Sequence, residues 1–188
     1  MIYDDLAKGT CGTNATWVLY KSGQLVISGT GAVVRGGWTR SRLTGVLLQE
    51  GITSINSKLF MGDSNITSVI LPSTMSETGS ESFRQITSLT YVYMPEGVKT
   101  ITWSSFRGCT RLPSITLPST IKTLSNYAFN GCSSLASMTV LATTPPTLGT
   151  SALPSASQFQ AIYVPAASVD AYKTAWSNYA NKIQAINE

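Results

Sequence analysis

Apolar residues recur along this chain with a period of 23: a lead position falls at Leu43, Ile66, Leu89, Leu112 and Leu135. Phe60, Phe83, Phe106 and Phe129 repeat at the same interval, and so do Pro72, Pro95 and Pro118. Register of this strictness predicts a solenoid, in which each unit stacks on the one before it. Four units span residues 43–65, 66–88, 89–111 and 112–134, and a looser fifth starts at Leu135. The stretch from Leu112 to Leu135 carries the motif in its best-formed version.

Each unit opens on a β-prone triplet: Val46-Leu47-Leu48, Val69-Ile70-Leu71, Val92-Tyr93-Met94, Ile115-Thr116-Leu117 and Met138-Thr139-Val140. Side chains alternate along a strand. The outer two residues are always apolar and the middle one varies, so the outer pair faces the core and the middle residue faces out. The following proline ends the strand, because it has no N–H for a ladder. A second apolar pair comes next, at Ile52 and Ile55, Val98 and Ile101, and Ile121 and Leu124. Unit two has Met75 and Thr78 there, which makes it the weakest. The Phe is the largest core filler. Gly-Cys closes units three and four at Gly108-Cys109 and Gly131-Cys132, where earlier units have Gly62-Asp63 and Gln85-Ile86.

The repeats need covered ends, since a bare terminal unit exposes core and strand edge. Residues 1–10 read as a loose lead-in. Trp17–Tyr20 and Leu25–Ser28 then form a hairpin across Lys21-Ser22-Gly23-Gln24, with Trp17, Leu19, Leu25 and Ile27 on one face. Gly29-Thr30-Gly31 ends it, and Arg35–Arg42, with Trp38, is a connector. Past Leu135 the pattern loosens, and Thr143-Thr144-Pro145-Pro146 replaces the second apolar pair. Ile162-Tyr163-Val164-Pro165 restores one more strand. A helix follows, with Ser168 at its N-cap and Val169, Tyr172, Ala175, Trp176 and Tyr179 at helical spacing on one face. Ile183 and Ile186 add a last short strand. The division is 1–42 for the N-terminal cap and connector, 43–165 for the solenoid and 166–188 for the C-terminal cap. The fold class is mainly β, a β-rich solenoid with a hairpin cap and a helix-containing cap.

Composition narrows the chemistry. Charged residues are only 12% of the chain and the net charge is +4, with no basic run interleaved with aromatics. Nucleic acid is not the expected partner. There is no His, which removes Ser-His-Asp and Cys-His catalysis and the usual His-based zinc sites. Three Cys cannot make a complete disulfide framework. No apolar run is long enough for a membrane-spanning helix, so no membrane insertion is expected. The opening MIYDDLAKGTCG lacks the basic segment and apolar run of a secretion signal. Either a leader or a larger protein has been trimmed away, or export follows another route.

The unit LPSITLPSTIKTLSNYAFNGCSSL resembles the BspA-like leucine-rich repeats of bacterial, protozoan and phage-encoded proteins. The segment from Cys11 to Trp17, with Gly23 to Gly31, is similar to the cap that precedes those repeats. Ile162 through Trp176 is similar to their closing segment. The resemblance implies a leucine-rich repeat stack and adhesion or ligand binding by its surface. It supplies no catalytic residues and no cofactor.

Several side chains carry possible chemistry. Tyr91 and Tyr93 stand together on the outward sheet ladder, where exposed aromatics suit protein interfaces and sugar faces; the plainer reading is packing against each other or Ile70. On the other flank, Arg84 and Arg107 are one repeat apart, with Trp103 just before, and Glu81 is placed to pair with them; the plainer reading is two solvated surface arginines. Arg35, Arg40 and Arg42 cluster near Trp38. Cys109 and Cys132 hold equivalent positions, either near disulfide range or as small buried ladder residues. The acids are scattered, and Glu50 and Glu96 read as turn residues rather than a hydrolytic pair.

The expectation is a non-enzymatic binding or adhesion module that recognises a surface glycan or protein through the solenoid face, with Tyr91, Tyr93, Trp103, Arg84 and Arg107 as candidate binding residues. The alternative is a phage virion structural or tail/decoration protein that mediates assembly and host attachment, with self-association or a virion assembly partner. No cofactor or metal is expected, and the location is the cell surface, the extracellular space or a virion.

Overall fold

The computed structural model describes residues 5–155 and 157–186. Strands β1 (Asp5–Thr10), β2 (Asn14–Tyr20) and β3 (Gln24–Val33) form an antiparallel meander. Trp17, Leu19, Leu25 and Ile27 are all buried on its inner face, as their period-two spacing requires. Residues 5–10 are therefore no loose lead-in. DLAKGT shows no apolar alternation because all but Gly9 are exposed; its ladder with β2 holds it, with Gly9 lying against the Trp17 ring.

Gly29 and Gly31 do not end the hairpin; they bend it. The first half of β3 pairs with β4 (Gly45–Leu48), and Gly31 to Val33 pair with β5 (Ile52–Ile55). Gly29 has φ +105°, and a Cβ there would sit 2.1 Å from the Asn14 carbonyl oxygen. One bent strand thus covers two flanks of the first unit.

From there the ladders are parallel. On one flank β4, β6 (Ser68–Ile70) and β7 (Tyr91–Tyr93) stack in register. Farther along the same flank lie β9 (Ser114–Leu117), β11 (Ser137–Val140), β13 (Ala161–Val164) and β14 (Ile183–Ala185). A second flank carries β8 (Thr100–Ile101), β10 (Thr123–Leu124) and β12 (Thr147–Leu148). β12 shows that the fifth unit keeps its second strand. The Thr143–Pro146 insertion only delays it, so that Leu148 pairs with Leu124. Unit two lacks this strand, as its Thr78 foreshadows: only a single bridge joins Glu77 to Thr100, and the buried Thr78 hydroxyl accepts the Thr102 N–H at 3.1 Å.

Between the flanks Phe60, Phe83, Phe106 and Phe129 stack with ring centroids 5.8, 5.2 and 5.5 Å apart. Trp38 is their first rung rather than a surface connector: it is buried, stacks on Phe60 at 5.8 Å and receives the edge of Trp17. Aromatic pairs in such contact gain beyond simple burial.

At the far end α1 (Val169–Ala175) turns Tyr172 and Trp176 inward, where they donate to the carbonyls of Ala142 and Pro146. The Ser168 hydroxyl donates to Thr143 O at 2.8 Å instead of accepting from the helix N-terminus. β14 then pairs with β13 and finishes the sheet.

Candidate functional site

The outward ladder of the first flank is Leu47, Ile70, Tyr93, then Thr116, Thr139 and Tyr163. Beside it run Gly45, Ser68 and Tyr91, then Ser114, Ser137 and Ala161. Tyr91 and Tyr93 are 53% and 48% exposed, so neither is absorbed by packing against the other or against Ile70.

The two halves of this flank are not joined. β7 is the last strand of one sheet and β9 the first of the next, and no ladder pairs them. The cause lies in Pro113. Thr44, Thr67, Thr90, Pro113 and Ala136 occupy one position in successive units. Thr44 donates its N–H to Gly23 O, Thr67 to Thr44 O, Thr90 to Thr67 O and Ala136 to Pro113 O, at 2.8–2.9 Å. The threonine hydroxyls of Thr44, Thr67 and Thr90 add a parallel set of bonds to Ser22 O, Thr44 O and Thr67 O. Pro113 has neither the N–H nor the hydroxyl, so Thr90 O loses both donors. Pro118 removes the next donor beyond β9, but Pro72 and Pro95 do the same after β6 and β7, which stay paired, so Pro113 is the proline that sets this joint apart. The unit that looks best formed in its side chains is thus the one whose first strand has lost a partner.

The core registers the split. Val92 and Ile115 are 7% and 4% exposed, whereas Val46, Val69 and Met138 at the same repeat position are at 1% or less, and Met94 is 6% exposed against 1% or less for Leu48, Leu71, Leu117 and Val140. Outside lies a cleft of about 430 Å³ between the two strands, lined by Tyr91, Tyr93, Ser114, Thr116, Glu96 and Leu141 among others. Leu141 is itself 38% exposed, so three of the large exposed apolar side chains meet here.

Glu96 ties the foot of the cleft. Its carboxylate accepts from Ser119 N–H at 2.9 Å, from the Ser119 hydroxyl at 2.8 Å and from Thr120 N–H at 3.2 Å. Those bonds, led by the Ser119 main chain, hold its pKa below the ordinary range. Glu50 makes the same staple to Ser73 one pair of units earlier. Both are turn residues in position and inter-unit clamps in effect.

Trp103, Arg84 and Arg107 lie away from this cleft, in the turns beside the Phe stack. Arg84 pairs with Glu81, which also meets Lys58 at 3.4 Å. Burial opposes ionisation of Glu81, but the bonds and charges of Arg84 and Lys58 outweigh it and keep its pKa low. Arg107 lies over the Tyr127 ring at 5.4 Å, and Trp103 is 43% exposed. The five candidate residues therefore occupy two separate surfaces. In the N-terminal basic cluster, Arg40 bonds Asp63 and Met61 O, and Arg35 stacks over Trp38 at 5.6 Å. The Arg40–Asp63 pair escapes sequence reading because Asp63 stands in the Cys109 and Cys132 position, among otherwise apolar rungs.

Cys11, Cys109 and Cys132 are all free and buried, so Cys109 and Cys132 are ladder residues rather than a bridge. Their thiols donate to Phe83 O and Phe106 O at 3.2 and 3.1 Å. Burial pushes Cys132 up to about 12 and Cys11 to about 11. Among the described residues no group of His, Cys, Asp or Glu is placed to hold a metal ion, and no helix is long and apolar enough to cross a membrane.

The model of the BspA type leucine-rich repeat region matches residues 38–186, in six copies. A leucine-rich repeat protein from Eubacterium ventriosum is similar in structure, with TM-score 0.66 and 24% identity over 86% of this chain and 45% of that one. The pneumococcal vaccine antigen PcpA is similar with TM-score 0.54 and 16% identity over 92% of this chain and 46% of that one. The chain thus spans slightly under half the length of either, and at these identities the likeness is one of fold. A comparison with curated proteins finds none that matches. With the repeat model covering most of its length and each unit seated in the stack, the chain belongs to the BspA-type leucine-rich repeat family.

Proposed function

We propose that this chain is a non-enzymatic binding module that engages a surface glycan or protein through the sheet flank at unit three. The observation that carries the reading is the cleft between β7 and β9, where Tyr91 and Tyr93 stand half exposed beside unstitched strand edges. Exposed aromatics offer large contact area at small entropic cost. Repeat proteins of this family are generally binding modules, which agrees with a site built from aromatic and hydroxyl groups. Presentation at a cell surface belongs to the same reading; the pneumococcal protein of similar fold is described as a vaccine antigen. The virion-component reading draws on no observation of this structure.

The test is binding of the chain to bacterial and host cell-surface fractions, compared with a Tyr91→Ala/Tyr93→Ala variant. Both rings are exposed, so the variant is expected to melt within about 2 °C of the parent. It is expected to bind at least about tenfold more weakly, the loss of one or two aromatic contacts. A folded double variant that binds as well as the parent rejects this surface.

A further inference from the structure

The cleft has a chemistry narrower than "glycan or protein". In a parallel ladder, alternate residues of a strand direct their main-chain groups to opposite neighbours. Tyr91 donates to Thr67 O and Tyr93 accepts from Leu71 N–H, both toward β6, so the N–H and C=O of Val92 point across the cleft. On the other bank Pro113 and Leu117 accept from Ala136 and Leu141, toward β11, so the main-chain groups of Ser114 and Thr116 point back across it. The cleft is thus walled by main-chain donors and acceptors without ladder partners, two hydroxyls and two tyrosine rings.

An extended peptide does not fit between these edges. Inserting a strand requires about twice the ~4.8 Å strand spacing. Units three and four are held at a single spacing behind the cleft, by Phe106 on Phe129 at 5.5 Å, by the β8–β10 ladder and by the Glu96–Ser119 clamp. Small hydrogen-bonding groups can enter where a strand cannot. Charge restricts the occupant further. No Lys or Arg is among the described residues that line the cleft, and its one carboxylate, Glu96, is already engaged by Ser119 and Thr120. An anionic polymer has no counter-charge here.

Resting on the binding reading above, we infer that the β7–β9 cleft is a subsite for an uncharged sugar residue of a glycan, whose C–H face lies on Tyr91 and Tyr93 and whose hydroxyls bridge the main-chain groups of Val92, Ser114 and Thr116. Its volume of about 430 Å³ lies within the usual span of ligand pockets.

The experiment is a titration of the isotope-labelled 188-residue chain with cellotetraose, maltotetraose, mannotetraose and chitotetraose, followed by amide spectra, with tetragalacturonate and an alanine-valine octapeptide as comparators. At least one neutral tetrasaccharide is expected to shift the amides of Val92, Ser114 and Thr116 saturably, with an affinity unchanged by an about tenfold rise in salt. Pro113→Thr restores the donor and hydroxyl of the other units and keeps both tyrosines, and it is expected to weaken that sugar at least about tenfold. The inference is overturned if no neutral tetrasaccharide moves these amides, if tetragalacturonate or the octapeptide moves them more strongly, or if Pro113→Thr binds sugar as the parent does. These failures leave the broader reading standing when the double tyrosine variant still loses cell-surface binding. If that variant binds cells normally, the surface itself is wrong.

Discussion

Pro113 stands one repeat after Thr90 and withholds from Thr90 O both bonds that Thr90 itself gives to Thr67 O. One imino acid thereby divides a continuous parallel sheet in two while the phenylalanine stack behind it runs on unbroken.

Pro113→Thr is therefore expected to close the split with a modest gain in stability. The two regained bonds to Thr90 O contribute about 0.5–1.5 kcal/mol each, and loss of the proline restraint on the unfolded chain costs about 0.4–1 kcal/mol. Urea melts are expected to show a stabilisation of no more than about 2–3 kcal/mol. Hydrogen exchange is the sensitive reading: the amides of Ser114 and Thr116 become protected to the level of Ser68 and Ile70, and unchanged exchange there would show that something other than the proline holds the strands apart.

Phe106→Ala removes one of the inner stacked rings from a fully buried site and is expected to cost about 3–5 kcal/mol. A thermal or urea melt within error of the parent would contradict its place in the core.

Gln85 has φ +59°, at the position where Gly62, Gly108 and Gly131 have φ near +75°. A side chain in this region costs about 1–2 kcal/mol, of which glycine gives back part as unfolded-chain entropy. Gln85→Gly is expected to stabilise the chain by about 0.5–1 kcal/mol in urea denaturation, and Gly108→Ala to destabilise it.

Glu96 supplies a pH dependence with a definite sign. Its folded pKa is lowered, so the clamp is fully present above the unfolded carboxylate range and is lost as pH falls through the folded value. The melting difference between the parent and Glu96→Gln is expected to be largest near neutrality and to vanish in acid. A difference that persists below the folded pKa would assign the effect to something other than the charge.

The side-chain pattern made the stack legible because every buried rung leaves its mark at the same interval: Leu112, Ile115, Leu117, Ile121, Leu124 and Phe129 are all buried as their spacing demands. Features carried by the main chain were hidden. β1 is held chiefly by its main-chain ladder with β2 and is exposed at all but Gly9, so Asp5–Thr10 shows no alternation to read. Trp38 lies one residue off the period, because the bent β3 sets its place in the stack. Tyr91 and Tyr93 were visible as outward residues, but the cleft beside them depends on a donor missing from Pro113, and hydropathy does not register an absent hydrogen. The separation of Trp103, Arg84 and Arg107 from the tyrosines was legible, because their place in the repeat puts them on another flank; the Arg107 contact with the Tyr127 ring was not.

The continuity of the Phe stack behind a divided sheet makes the molecule mechanically lopsided. Flexing that parts β7 from β9 breaks no ladder, whereas flexing the opposite way must strip β8 from β10 and unstack Phe106 from Phe129. A bound molecule bridging β7 and β9 would supply the tie this face lacks and stiffen the joint against bending in that one direction.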